Sequence, residues 1–170
     1  MDLLAIDPGS VESGYVLVFV QDGEIISVLK KGKISNKELL ANILDHFYYD
    51  EIVIEMIASY GMPVGKEVFE TCLWTGRFIQ ADSLRWGGGV IDNVHRIYRK
   101  DEKLEICGSV KAKDSNIRQA LVDIYAPGQE NYGKGTKSNP GFFYGFKKDI
   151  WQAFAVAHTY VKKDLFKYQF

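Results

Sequence analysis

Apolar runs of strand length alternate along this chain with longer stretches of helical spacing. Leu3 to Ile6, Tyr15 to Val20 and Glu24 to Leu29 are rich in β-forming residues, and Gln21-Asp22-Gly23 between the last two is a hairpin turn signal. Three antiparallel strands are predicted. Asn36 to Tyr48 places Leu39, Leu40, Ile43, Leu44 and Phe47 at the spacing of one helix face and leads into the run Glu51 to Glu55, so that strand is expected to return parallel to the first. Lys66 to Leu84 predicts a second helix with Val68, Phe69, Cys72, Leu73, Gly76 and Ile79 inward, ended by Gly87-Gly88-Gly89 ahead of a short strand, Val90 to Val94. After a polar, weakly periodic stretch, Asp114-Ser115 is expected to cap a helix with Ile117, Ala120, Leu121 and Ile124 on its inner face. Residues 127–145, rich in Gly, Pro, Asn and Lys, are too long for a plain connector and are expected to form a mobile binding loop. A last helix is predicted from about Lys147 to Leu165. Meandering strands followed by alternating helices and strands give an α/β class: a mixed central sheet, three antiparallel strands then parallel ones, flanked by helices.

Composition narrows the class. With 170 residues, 46% hydrophobic and 14% aromatic, the chain can bury one substantial core, and a single domain spanning 1–170 is expected. A formal net charge of -1 provides no global attraction to polyanions, so any nucleic-acid contact must come from locally grouped Lys and Arg. Cys72 and Cys107 match no metal-ligand spacing and read as reduced packing thiols. No signal-peptide order opens the chain and no apolar run approaches the roughly 18 residues of a membrane span. A soluble cytoplasmic protein, without membrane partners, is the expectation.

Three acids stand at positions where chemistry is expected. Asp7 closes the apolar run Leu3-Leu4-Ala5-Ile6 and is followed by the turn Pro8-Gly9, and Glu55 closes Ile52-Val53-Ile54 in the same way. Asp149 opens the final helix. A single acid at a strand end is more often a turn or cap residue, but two strand-end carboxylates and one helix-start carboxylate in this order suit a hard cation such as Mg²⁺. His158 lies on the side of its helix opposite Asp149 and reads as a core or surface histidine; His46 and His95 are equally unsupported as ligands.

The pieces Ala5-Ile6-Asp7-Pro8-Gly9 with Gly14-Tyr15, Val53-Ile54-Glu55, Trp74-Thr75-Gly76-Arg77, Gly108 to Ser115, and Asp149 ahead of Gln152 to Ala157 together resemble the RNase H-like superfamily. Within it the chain looks like the RuvC-type Holliday junction resolvases, most closely their phage branch. The resemblance implies an RNase H-like fold and a homodimer that hydrolyses phosphodiesters symmetrically across a four-way DNA junction, leaving 5′ phosphates. It implies two Mg²⁺ ions, replaceable by Mn²⁺, on four acids. Asp7, Glu55 and Asp149 match three of these as metal ligands; the fourth position is Gln152, whose amide oxygen can still coordinate a cation or hold a water with one negative charge fewer. Asp149 and Gln152, three apart, share a helix face. The dimer interface is expected on the Lys66 to Leu84 helix.

The resemblance also implies DNA contacts. Lys111 and Lys113 match a basic segment beside the active site and are expected to meet the phosphate backbone; the alternative is a solvated charge pair. Lys134, Lys137, Lys147 and Lys148, joined by Arg118, form a second basic group interleaved with Tyr132, Phe142, Phe143 and Tyr144. These aromatics suit unpaired bases, or else pin the loop to the core. Tyr60 and Met62 occupy the position of an apolar wedge at the junction centre. Three other readings stay open: an endonuclease for branched DNA in general, such as forks and flaps; a non-catalytic junction-binding module silenced by Gln152; and an actin- or sugar-kinase-like ATPase, which requires a second phosphate loop and usually a longer, duplicated chain, neither of which is present.

Overall fold

The computed structural model describes residues 1–87 and 94–163. Its centre is a five-stranded sheet of β1 (Asp2–Asp7), β2 (Glu12–Gln21), β3 (Glu24–Ser35), β4 (Glu51–Met56) and β5 (His95–Tyr98), in the order β3-β2-β1-β4-β5. The first three pair antiparallel, and β4 and β5 add parallel to β1. Asp22 and Gly23, both at positive φ (52° and 72°), make the tight turn between β2 and β3 that an Asp-Gly pair favours.

The alternation of side chains along β1 explains its continuous apolar run. Leu3 and Ala5 face one layer with β2's Val16 and Val18, β4's Val53, and α4 (Asp114–Tyr125) and α6 (Lys148–Lys163). Leu4 and Ile6 face the other, against α1 (Asn36–Ala41), its π-helical continuation Asn42–His46, and α2 (Lys66–Arg85). Both sheet faces are covered, so the strand has no polar side and can end in an acid only at its mouth. Helix α6 lies across β1 and β2 and is buried nearly all round, with Ala153, Ala155 and Ala157 at 0% exposure allowing a close approach.

Several sequence expectations are corrected. In α2 the buried residues are Thr71, Thr75, Phe78, Ala81 and Asp82, while Phe69 (62% exposed), Leu73 (53%), Cys72 and Gly76 point outward and Val68 and Ile79 are half-buried. Helical periodicity identifies an apolar stripe without saying which body covers it, and the threonines satisfy their hydroxyls on the preceding turn of their own helix. Cys72 is therefore an exposed thiol, not a packing one. The helix that starts at Asp114 buries Ile117, Leu121 and Val122, and leaves Ile124 48% exposed. Its cap is Lys113, whose backbone N–H donates to the Asn116 side chain at 2.9 Å. Along the stretch from α1 through its π-helical continuation to Phe47, Leu44 is exposed while Leu39, Ile43 and Phe47 are buried.

A helix that the pattern did not predict, α3 (Arg99–Cys107), follows β5 and ends on Gly108 at φ 66°. The loop 127–145 is held against the core by Phe143, at 0% exposure, and half-buried Phe142, with Phe146 just beyond it at 1%. Phe143 stacks edge-on against Phe154, and Gly133 leaves room for the Phe143 ring, since a Cβ there would meet it at 2.9 Å. The short turn α5 (Glu130–Gly133) lies within this loop. The expected strand Val90 to Val94, with Gly88, Gly89 and Asp92, lies outside the described residues except for Val94, which is buried and precedes β5; Leu165 also lies outside them.

Candidate metal and DNA site

Parallel pairing of β1 with β4 in the register Ile6↔Ile54 brings the next residues, Asp7 and Glu55, side by side at the sheet mouth. Their carboxyl groups hydrogen-bond one another. Burial, then the charges of Glu55 and Asp149, push Asp7 up to about 8, and burial also raises Glu55, against the favourable charge of Arg99. Burial and mutual repulsion thus disfavour having both carboxyls ionised together, a cost that Arg99 offsets in part.

The loop after Asp7 is braced from below. Ser13 donates to Asn36 at 2.6 Å, accepts from the Gly9 N–H at 3.2 Å, and Asn36 returns a bond to the Gly9 carbonyl at 2.9 Å. Asp149 arrives from the first turn of α6, whose backbone passes so close to β2 that a Cβ on Gly14 would stand 2.4 Å from the Asp149 carbonyl oxygen. Only glycine fits there. The Asp149 carboxylate pairs with Lys33 at 2.8 Å, and Lys33 also reaches Glu12 at 3.5 Å. Asp7, Gly9, Glu12, Gly14, Lys33 and Asp149 line an open cleft of about 370 Å³.

Gln152 shares the exposed face of α6 with Asp149 but is not aimed at Asp7: its Nε2 donates to Asp114 at 3.2 Å. Asp114 also receives Arg99 at 2.6 Å, and Arg99 pairs in turn with Glu102, a fully buried carboxyl whose Oε1 has no partner among the described residues. Burial and the Glu55 charge push Glu102 up to about 9 even with Arg99 beside it. Sequence reasoning missed Arg99, Glu102 and Lys33. The i,i+3 pair Arg99-x-x-Glu102 was a usable local signal, whereas nothing local joins Lys33 to Asp149.

Among the described residues no three Asp, Glu, His or Cys side chains converge as a ready-made ligand set. Asp7 and Glu55 are instead paired with each other, and Asp149 is held by Lys33. As a donor set they fit a hard divalent cation, which takes oxygen ligands and would offset the repulsion between the carboxyls and replace the lysine charge.

The basic residues expected to meet DNA fall in two groups. Lys111 and Lys113 are exposed in the connection from α3 to α4. Arg118, Lys134, Lys147 and Lys148 line one cleft of about 330 Å³ with Asp114, Gln152 and Trp151, and Arg118 lies over the Tyr132 ring at 5.8 Å. Lys137 is exposed outside that lining. Of the two roles left open for the aromatics, Phe143 takes the pinning one; Tyr132 (61% exposed) and Tyr144 (40%) remain accessible. Tyr60 and Met62 are exposed in the loop after β4, and Tyr60 borders a groove shared with Arg99, Lys100, Lys103 and Val110. His158 is a core histidine whose Nδ1 meets the Tyr125 hydroxyl at 2.7 Å; His46 is exposed, and His95 packs on Tyr160.

No protein-family model and no curated protein sequence matches this chain. Solved structures do. RuvC of Thermus thermophilus superposes with a TM-score of 0.67 at 16% identity, over 98% of this chain and 97% of that one. The same protein in complex with a Holliday junction substrate gives 0.64 at 16% identity, over 94% and 92% of the two chains. The Fowlpox virus resolvase, solved with Holliday junction DNA, gives 0.52 at 14% identity, over 95% and 97%. At these identities the likeness concerns the fold. The chain shares the fold of RuvC, an RNase H-like mixed sheet flanked by helices.

Proposed function

We propose that this protein is a metal-dependent endodeoxyribonuclease that cuts branched DNA, with the four-way junction as its substrate. The observation that carries the reading is the Asp7–Glu55 pair, two half-buried carboxyls brought side by side at the C-terminal ends of adjacent parallel strands, where each disfavours ionisation of the other, with Asp149 in electrostatic reach. Such a pair is costly to maintain unless a cation uses it. The junction enters through the fold: two of the similar structures were solved with Holliday junction DNA.

Asp7, Glu55 and Asp149 are the residues that would hold Mg²⁺, or Mn²⁺ in its place. Bound there, the ion supplies an activated water and charge stabilisation for the leaving oxygen. The chain itself supplies the rest. Lys111, Lys113 and the Arg118, Lys134, Lys147 and Lys148 group position the phosphate backbone, while Lys137 adds a more distant charge. Tyr60, at the rim of the groove beside Arg99, and exposed Met62 nearby in the same loop would meet bases at the branch point. Two cuts per junction call for two copies, and the uncovered apolar stripe of α2, with Phe69 and Leu73, is the surface assigned to the homodimer.

A second reading, a junction-binding module without cleavage, draws on Gln152 bonding to Asp114 and on Lys33 occupying Asp149. Incubating the protein and Mg²⁺ with end-labelled four-way junction, fork, flap and linear duplex separates the readings. Paired nicks in the junction support the proposal, cutting of all branched forms widens it to a general branched-DNA endonuclease, and binding without nicks favours the second reading.

A further inference from the structure

Strand β3 carries four charged residues, and they fall into two kinds. Those nearer its ends are paired, Glu24 with Lys162 of α6, and Lys33 with Asp149 and Glu12. Lys30 and Lys31, between them, pair with no carboxylate among the described residues. Each ammonium lies over a ring instead, Lys30 at 5.4 Å from the centre of Phe47 and Lys31 at 5.6 Å from that of Phe146. The two rings belong to opposite layers of the core, so the lysines straddle the sheet along its edge strand. Lys31 also continues the basic cleft: its Cε would lie 3.5 Å from a Cβ on Gly145, and the residues that follow, Phe146, Lys147 and Lys148, line that cleft with Arg118 and Lys134.

We propose that the Lys30–Lys31 edge of β3 holds the phosphate backbone of one duplex arm of the branched substrate, extending the basic cleft across the sheet. The inference rests on the branched-DNA reading above and adds a surface to it. Phe47 and Phe146 are 6% and 1% exposed, so this edge offers charge without an open ring on which an unpaired base could stack. Charge alone suits the phosphates of paired DNA. The ring beneath each ammonium restricts its stem before DNA arrives, which lowers the ordering cost of the contact. Edge lysines also discourage strand pairing between copies, but that role calls for no adjoining cleft of free cations.

The test is the affinity of the intact protein for a synthetic four-way junction between about 50 and 200 mM salt, without divalent ion so that no strand is cut. Wild type is compared with Lys30→Gln/Lys31→Gln and with Lys30→Arg/Lys31→Arg. The slope of log affinity against log salt is expected to be shallower by about 0.9 per lysine removed, about 1.8 in the Gln pair, and unchanged in the Arg pair, which keeps both charges. The single Gln variants, each expected to show about half of that change, serve if the pair fails to fold. Uncharged methylphosphonates placed singly along the arms should weaken wild type at one or more duplex positions and leave the Gln pair indifferent there. A wild-type slope in the folded Gln variants would overturn the inference and leave the nuclease reading standing. A shallow slope in the Arg pair would also overturn it, because packing on the rings and not charge would then be at work. Sensitive phosphates confined to unpaired nucleotides would overturn the duplex assignment. No junction binding by wild type would overturn the branched-DNA reading itself.

Discussion

Gln152 donates its side-chain amide to Asp114 across the gap between α6 and α4, at 3.2 Å. An acid at 152 would instead confront Asp114, whose carboxylate pairs with Arg99. This changes what a substitution there should do.

Gln152→Glu should lower the stability of the metal-free protein by about 1 kcal/mol, through a lost hydrogen bond and a new like-charge contact. Divalent metal should restore it. Thermal melts with and without Mg²⁺ check this; a variant at least as stable as wild type without metal contradicts it.

Phe143 separates anchoring from recognition in the loop. Phe143→Ala, at a fully buried ring packed on Phe146, Trp151 and Phe154, should cost about 3–5 kcal/mol in urea unfolding. Tyr132→Ala, at an exposed ring, should stay within about 0.5 kcal/mol of wild type and act on DNA binding alone.

His158 should make the fold acid-sensitive. Burial, reinforced by Lys162, pushes its imidazole down to about 4 from the ordinary 6.5. The unfolded chain therefore binds more protons between these values, so the stability contributed is full above about pH 6.5 and is lost as pH falls toward 4. The loss amounts to about 3 kcal/mol at most. Urea midpoints followed from pH 7 to 4 should drop less in His158→Gln than in wild type; equal slopes would show that other groups carry the acid transition.

Much of this architecture is legible in the residues because both faces of the sheet are covered. Buried runs such as Leu3 to Ile6 and Ile52 to Ile54 are then uninterrupted, and the acid that ends each stands out. The same logic fails where a helix turns charge inward. Helix α3 escapes pattern reading since Glu102, not an apolar residue, is its fully buried position, and the α2 stripe is read inside out because periodicity carries no direction. Lys33 is separated from Asp149 by most of the chain, and only the crossing of α6 over β2 and β3 unites them.

The outward stripe of α2 should set the oligomeric state. Phe69→Glu with Leu73→Glu, both at exposed positions, should leave folding within about 0.5 kcal/mol per site yet shift the protein to monomer in analytical ultracentrifugation. An unchanged assembly state would move the interface elsewhere.

The central claim is that Asp7 and Glu55 form a cation-dependent catalytic centre for branched DNA. The most direct measurement is nicking of a synthetic four-way junction under Mg²⁺ titration, comparing wild type with Asp7→Asn and Glu55→Gln, alongside junction affinity by gel shift. The account predicts Mg²⁺-dependent paired nicks by wild type, none by either variant, and junction affinities within about threefold of one another, since the basic surface is untouched. Nicking that persists in both variants, or that needs no divalent ion, would contradict it.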